Sequence, residues 1–201
     1  MSPRTPPAPR PRRDAAATRA AILAAARRHF AARGYERAGV REIAAEAGVT
    51  GALVNRYFGS KAQLFREALE DAFVIPSLLP PDRARLGDTL AGYAAHTGDP
   101  RRRSVDTIQL IVRSMGSPDA AAILREQLDR HSIGPLATWI GGDDAELRAA
   151  LVVACMAGLA MLRKLARSHA FDSVDEDRLA QLFAPVLQAC VEGNPAGADA
   201  S

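Results

Sequence analysis

The stretch that decides the fold runs from Val40 to Lys61 and reads VREIAAEAGVTGALVNRYFGSK. Apolar residues recur in its first part at the spacing of one helical face: Val40, Ile43, Ala44 and Ala47. This spacing predicts a short amphipathic helix. Gly48 follows at once, and a glycine just past the last periodic residue ends a helix because it adopts the left-handed conformation at little cost. The sequence therefore predicts a helix and then a sharp turn.

A second helix is predicted from Thr50, because a threonine hydroxyl is a good N-cap. Val54 and Phe58 lie four residues apart and form its buried stripe. Asn and Arg on the other face are the side chains that pair with adenine and guanine edges in a major groove. We interpret the unit as a helix-turn-helix, with a helical hairpin whose polar face is only solvated as the alternative. The candidate DNA contacts are Arg41, Thr50, Gly51, Ala52, Asn55 and Arg56 near bases, and Tyr57 and Lys61 on phosphates.

The order of residues around this unit resembles the DNA-binding domain of the TetR family of bacterial transcriptional regulators. The resemblance covers the first third of the chain and rests on Ile22-Leu23, Ala26, Phe30, Gly34-Tyr35, Val40-Arg41, Ile43-Ala44, Ala47-Gly48-Val49-Thr50, Tyr57-Phe58, Ser60-Lys61 and Leu64. The chain departs from the family pattern in two places, the cap of the first helix of this unit and the sequence of its second helix. Gly39 stands where the family has a Ser or Thr cap, and Leu53 and Asn55 stand where many members have Thr and Tyr. The operator sequence is therefore not carried over.

Composition predicts an all-α protein with about nine helices, since alanine-rich helical spacing dominates and aromatic residues are only 5%. Residues 1–61 hold twelve Lys and Arg against four Asp and Glu, whereas the remainder is acidic. A basic third joined to an acidic remainder is typical of a nucleic-acid module attached to something else. No long uninterrupted apolar run or apolar leader is apparent, so we expect a cytoplasmic protein without a membrane partner.

We divide the chain into a disordered basic arm (1–13), a helix-turn-helix domain (14–61), a larger helical regulatory and dimerisation domain (62–192) and a disordered tail (193–201). The arm either contacts DNA or is a solvated tail. Helix one is predicted over 14–33 with Gly34 as its end, its arginines mostly forming a solvated face. Helix four begins at Ser60, the first residue of a capping box, and runs out of the DNA module, so we expect it to link the two domains.

The C-terminal region reads as further helices. One over 101–115 is predicted to bury Val105, Ile108, Ile111, Val112 and Met115, and Ser117-Pro118 begins the next, with a possible kink at Gly134-Pro135. The last two, over 143–168 and from a capping box at Ser173, are apolar enough to need cover from a second chain, although packing within one chain is the alternative. Resemblance to the family implies a four-helix dimer bundle. The interface candidates are Leu151, Ala154, Gly158, Leu162, Leu182 and Val186.

The resemblance also implies a small-molecule pocket between the DNA module and the dimer bundle. Its candidate lining is Tyr93, His96, Gln109, Arg113, Met115, His131, Trp139 and Met156. Residues of these types on apolar helical faces also serve as core. The two cysteines, Cys155 and Cys190, are interpreted as core residues, with redox sensing as the alternative.

We therefore predict a homodimeric repressor of a palindromic DNA operator, released by an unidentified small-molecule effector. The alternatives are a constitutive DNA-binding dimer without effector and an all-helical enzyme. Against the enzyme, the sequence has no phosphate-binding glycine loop and no paired metal motif, and its four histidines lack ligand spacing. We accordingly expect no catalytic residue, no metal and no cofactor.

Overall fold

The computed structural model describes residues 12–70, 75–96 and 104–193, and every regular element within these ranges is helical. The α-helices are α1 (Arg12–Arg37), α2 (Val40–Glu46), α3 (Gly51–Phe58), α4 (Lys61–Leu69), α5 (Leu86–Ala95), α6 (Ser104–Ser114), α7 (Pro118–Leu128), α8 (Gly134–Ile140), α9 (Ala145–Ala160) and α10 (Glu176–Glu192). One π-helical turn, Asp129–Ile133, joins α7 to α8, and α8 begins at the predicted Gly134-Pro135 position. With α7 and α8 counted as one continuous helix, the described residues form nine helices. The all-α prediction is confirmed.

Most of the predicted arm (1–13) and tail (193–201) lies outside the described residues. The described part of the chain begins with α1 at Arg12, two residues before the predicted helix start.

Gly34 interrupts α1 near its end, as the sequence predicts. Its backbone adopts φ 74° and ψ 173°, a conformation that only glycine adopts readily. A Cβ at this position would collide with the carbonyl oxygen of Arg113 on α6. The Tyr35 amide then donates to the Ser114 hydroxyl at 3.1 Å. The end of α1 is thus fixed against the end of α6.

A first core fills the space between α1 and the helix-turn-helix. The predicted face of α1 packs against the buried stripe of α3, with Phe30 and Ile43 fully buried and Val54 2% exposed. The same core continues through Phe65 of α4 to Leu110 of α6 and to α7. The three N-terminal helices therefore share their interior with three helices of the following region.

A second core lies between α5, α8, α9 and α10. Its fully buried members include Leu86, Leu136, Val152 and Leu187. α5 lies so close to α10 that a Cβ on Gly87 would collide with the α10 backbone. Hydrophobic burial of this kind contributes about 1.5–3 kcal/mol for each large side chain.

Two local predictions are wrong. α10 begins after Asp175, whose carboxylate accepts the Asp177 amide at 3.4 Å, and not at a box beginning with Ser173. On α6 and the residue after it, Val112 and Met115 are exposed, and Leu110 and Ser114 are buried instead. Ser114 faces inward because its hydroxyl accepts the Tyr35 backbone amide of α1. An apolar periodicity count has no means of detecting such a long-range bond.

Candidate nucleic-acid interface

The turn between α2 and α3 has the hydrogen bonds of a Schellman motif. Gly48, at φ 68°, donates to the Ala45 carbonyl at 3.1 Å, and Val49 donates to the Ala44 carbonyl at 2.9 Å. Thr50 then caps α3, because its hydroxyl accepts the Leu53 amide at 3.3 Å. These bonds set the direction of α3 from both sides of the turn.

The N-terminus of α2 has an unusual cap, a glycine, and an acidic side chain of the first turn lies over it. Gly39 is the N-cap and has no side chain to accept a hydrogen bond. The Glu42 carboxylate instead lies in the space that a Cβ on Gly39 would occupy. An acidic group over the first turn is favourable there, because the helix N-terminus carries partial positive charge.

α3 has one apolar face and one polar face. Val54 and Phe58 are 2% and 4% exposed and close the first core, which confirms the predicted stripe. The structure turns Ala52, Asn55 and Arg56 to solvent. The helix contains no acidic residue. The outward face can therefore approach a polyanion without charge repulsion from its own helix.

The other candidate DNA contacts lie around this face. Arg41 and Thr50 are exposed, and Gly51 and Tyr57 are half-buried. Lys61, also half-buried, donates through Nζ to the Glu36 carbonyl at 3.1 Å and lies 4.7 Å from the centroid of the Tyr35 ring. Lys61 thus ties α4 to the end of α1. The sequence holds no local signal for this bond, since its partner is 25 residues away.

Ionic contacts hold the helix-turn-helix on α1. The Glu46 carboxylate accepts from Arg28 and lies 2.7 Å from His29 Nε2. The Arg28 hydrogen bond lowers the pKa of Glu46, and His29 lowers it further. Arg19 pairs with Glu67 of α4. Arg19 and Arg28 are exposed, as the predicted solvated face of α1 requires, and their carboxylate partners show that they also brace α4 and α2.

An apolar surface lies away from this interface, on α9 and α10. Its largest exposed side chains, Leu147 at 60% and Leu182 at 56%, face solvent in the single chain. All the interface candidates except half-buried Gly158 are exposed: Leu151, Ala154, Leu162, Leu182 and Val186. We call the five exposed candidates, together with Leu147 and Met161, the outward apolar stripe.

Within the described residues, one helical stretch, Ala145–Leu165, is long and apolar enough to cross a bilayer, with a mean hydropathy of 1.8. Length and composition alone are weak evidence for a membrane span. The stretch carries five of the seven residues of the outward apolar stripe, and Leu182 and Val186 on α10 continue the same surface. Helix packing against another protein surface accounts for an exposed apolar face of this kind equally well.

The structure does not bring the candidate pocket residues to one enclosed site. Arg113 at the end of α6 and Met115 just after it are exposed. His96 is also exposed, and its ring nitrogens bond the Gly92 carbonyl and the Asp177 carboxylate. Trp139 and Met156 pack against the second core. The remaining candidates are half-buried: Tyr93, Gln109 and His131.

A cleft of about 320 Å³ lies elsewhere, beyond the end of α9, and no sequence pattern predicted it. It is lined by Arg163, Lys164, Arg167, Ser168, Phe171 and Asp172. Arg163 has a structural role, because it donates hydrogen bonds to the Ala94 and Ala95 carbonyls at the end of α5. In the described ranges, no group of three or more His, Cys, Asp or Glu side chains has an arrangement that would hold a metal ion.

Two family models match the chain. A model described as bacterial regulatory proteins, tetR family, matches residues 22–68, and one described as Tetracyclin repressor-like, C-terminal domain, matches residues 84–191. No curated protein sequence matches.

Solved structures give further likenesses. A TetR-family regulator from Streptomyces coelicolor A3 is 30% identical, with a TM-score of 0.52, over 92% of this chain and 100% of that chain. NalD of Pseudomonas aeruginosa, the secondary repressor of the MexAB-OprM multidrug efflux pump, is 22% identical, with a TM-score of 0.64, over 87% and 96% of the two chains. Salmonella enterica GusR is 21% identical, with a TM-score of 0.63, over 88% and 96%. The last two likenesses show the fold alone.

Proposed function

The chain belongs to the TetR family of bacterial transcriptional regulators, and from that premise we propose that it is a homodimer that represses transcription by binding a palindromic operator through α3. An unidentified small-molecule effector releases it. The observation that carries the proposal is the outward face of α3, where Asn55 and Arg56 are exposed. Hydrogen bonds on both sides of the preceding turn hold this helix in place. Asn and Arg are the residues that recognise adenine and guanine in a major groove.

The proposed contacts divide into two kinds. Arg41, Thr50, Gly51, Ala52, Asn55 and Arg56 lie near base edges, and Tyr57 and Lys61 contact phosphates. Base contacts select the sequence, whereas phosphate contacts fix the register and make binding depend on salt.

Dimerisation follows from the size of one reader helix, because α3 has only eight residues. Two copies related by a twofold axis read two half-sites about 34–36 Å apart or a multiple of that spacing. The outward apolar stripe supports α9 and α10 as the dimer surface, since large leucines exposed on two adjacent helices gain hydrophobic burial there.

The route from effector to DNA runs through the first core. α4 packs against both α1 and α7, so a shift of α6 or α7 displaces the base of the reader unit. A change of a few kcal/mol in the preference for one arrangement is sufficient, because about 1.4 kcal/mol is a tenfold change in affinity.

The test is selection of bound fragments from a random DNA library, followed by footprinting. We expect one inverted repeat, protected on both half-sites. Asn55→Ala and Arg56→Ala should each relax selection at particular base pairs, at a cost of about 1–3 kcal/mol. Arg125→Ala, which removes an exposed cation from α7, is the control. Recovery of sequences without an inverted repeat, or unchanged selection by both α3 variants, refutes the proposal.

A constitutive DNA-binding dimer is the second candidate. The exposure of Arg113, Met115 and His96 favours it, since side chains in solvent do not line an effector pocket. A thermal-shift screen against metabolites separates the two candidates. An effector at about 100 times its dissociation constant stabilises the protein by roughly 2.7 kcal/mol, and it should lower operator affinity in the same concentration range.

A further inference from the structure

The fold brings the chain's two cysteines together. Cys155 lies on α9 and Cys190 on α10, and both are free, half-buried thiols packed against the second core. The two side chains are in hydrogen-bonding contact. α9 and α10 also pack against each other, so the fold supplies the proximity of the two thiols that a disulfide between these helices requires.

We propose that Cys155 and Cys190 form a modification site, a dithiol that a hydroperoxide oxidises to a reversible intrachain disulfide between α9 and α10. A DNA-binding regulator works in a compartment that keeps thiols reduced, so the dithiol is the resting state and the disulfide the signal of oxidation. A small oxidant suits the site, because half-buried thiols admit a peroxide more easily than a bulky disulfide.

The reaction balances in two steps. One thiolate attacks the near oxygen of the peroxide, the O–O bond breaks, and an alcohol or water leaves as the sulfur becomes a sulfenic acid. The second thiol then attacks that sulfur, the S–S bond forms, and the hydroxyl departs as water. Two electrons pass from the two sulfurs to the peroxide, and both thiol protons end in the products.

The surroundings of the pair assign the order of attack. Burial raises the pKa of the Cys190 thiol, and the adjacent Cys155 raises it further. Because the thiolate is the nucleophile, a thiol that holds its proton reacts slowly. This disfavours attack by Cys190, and we accordingly assign the first attack to Cys155 and the resolving step to Cys190.

The position of the bond gives the modification a structural effect. The neighbours of the two cysteines, Ala154 and Ala189, are exposed on the outward surface of α9 and α10. A disulfide directly beneath that surface fixes the two helices relative to each other. It also restricts the unfolded chain, because it closes the segment between the two cysteines into a loop.

The experiment treats the reduced full-length protein with a small excess of hydrogen peroxide. We expect the intact mass to fall by two hydrogen atoms, a peptide map to link Cys155 to Cys190, and dithiothreitol to reverse both results. The oxidised protein should run as a monomer on a denaturing gel without reductant. Its thermal midpoint should rise by several degrees.

Single variants test the order of attack. Cys190→Ser should accumulate a sulfenic acid that dimedone traps, and Cys155→Ser should react more slowly. Circular dichroism of both variants shows whether the helices remain intact. The same oxidation of the protein unfolded in denaturant is the matched control, and the folded chain should give the intrachain product faster.

Three outcomes overturn the proposal: disulfides between chains, oxidation to sulfinic acid in place of a disulfide, or no faster reaction in the folded than in the unfolded chain. None of these measurements involves DNA. Their failure therefore leaves the proposed repressor function standing, and failure of the repressor function leaves the dithiol site standing.

Discussion

The outward faces of α3 and of the α9 and α10 pair make an instructive comparison. Both elements bury one face in a core, Val54 and Phe58 in the first and Val152 and Leu187 in the second. The faces left over differ in chemistry, because α3 presents Asn and Arg to solvent whereas α9 and α10 present leucines. Since neither face is needed for the fold, the chemistry of each indicates its partner.

The two faces should also differ in how their contacts form. Polar groups on α3 are solvated when free, and their phosphate contacts weaken as salt rises. Exposed leucines gain free energy whenever they leave water, and salt does not screen that gain. The comparison thus predicts a salt-sensitive, reversible interface at α3 and a salt-tolerant one at the outward apolar stripe.

The largest expected effect comes from placing charge in the stripe. The double variant Leu151→Glu, Leu182→Glu should be monomeric in light scattering, because unpaired buried carboxylates cost several kcal/mol each. A single reader helix loses the gain from two linked half-sites, so operator affinity should fall by about 10² or more.

The control for that variant is Ala122→Glu, which adds a carboxylate to an exposed position on α7. It should stay dimeric and bind DNA normally. A dimeric double variant with full operator affinity would place the subunit contact elsewhere.

The next effect concerns the joint between α1 and α6, which holds the reader unit on the rest of the chain. Gly34→Ala should destabilise the protein by about 2–4 kcal/mol, because it puts a methyl group against the Arg113 carbonyl and strains a backbone that favours glycine. Urea unfolding measures the loss.

Gly92→Ala is the matched control for this joint. Gly92 lies inside α5, and a Cβ there meets nothing within 4 Å. This variant should gain about 0.5–1 kcal/mol, because alanine is the better helix former. Equal effects of the two substitutions would contradict the close approach of α6 to Gly34.

A smaller effect tests whether Lys61 belongs to the DNA face or only to the fold. Lys61→Ala should weaken binding to all sequences alike and reduce the slope of log affinity against log salt by about 1. Because Lys61 also donates to Glu36, stability should fall by about 0.5–1.5 kcal/mol. A loss of stability with an unchanged salt slope would assign Lys61 to the fold alone.

The same molecule shows what the sequence determined and what it did not. The α2 to α3 unit and the break at Gly34 were predictable, because periodicity, caps and glycines act within a few residues. The bond from Tyr35 to Ser114 spans 79 residues, and no local pattern encodes it. The pocket residues stay a prediction for another reason: Trp139 and Met156 have the chemistry both of pocket lining and of core, and the structure shows them half-buried against the second core.

The smallest effect concerns His96, which joins the end of α5 to the start of α10. Its ring nitrogens lie 2.8 Å from the Gly92 carbonyl and 3.1 Å from an Asp177 carboxylate oxygen, and both partners are acceptors. Only the imidazolium donates to both, so the Gly92 bond, and then Asp177, raise the pKa of His96. The stabilisation should be complete below the unfolded pKa of about 6.5, and it should be lost as pH rises through the raised folded pKa. His96→Gln should therefore lower the thermal midpoint more at about pH 5.5 than at about pH 8.5. His169→Gln is the control, because His169 pairs with the nearby Asp172 carboxylate at 2.9 Å and so tests an exposed histidine in a local pair that does not join two helices. An equal loss at both pH values would show that the charge on His96 contributes nothing to holding α5 against α10.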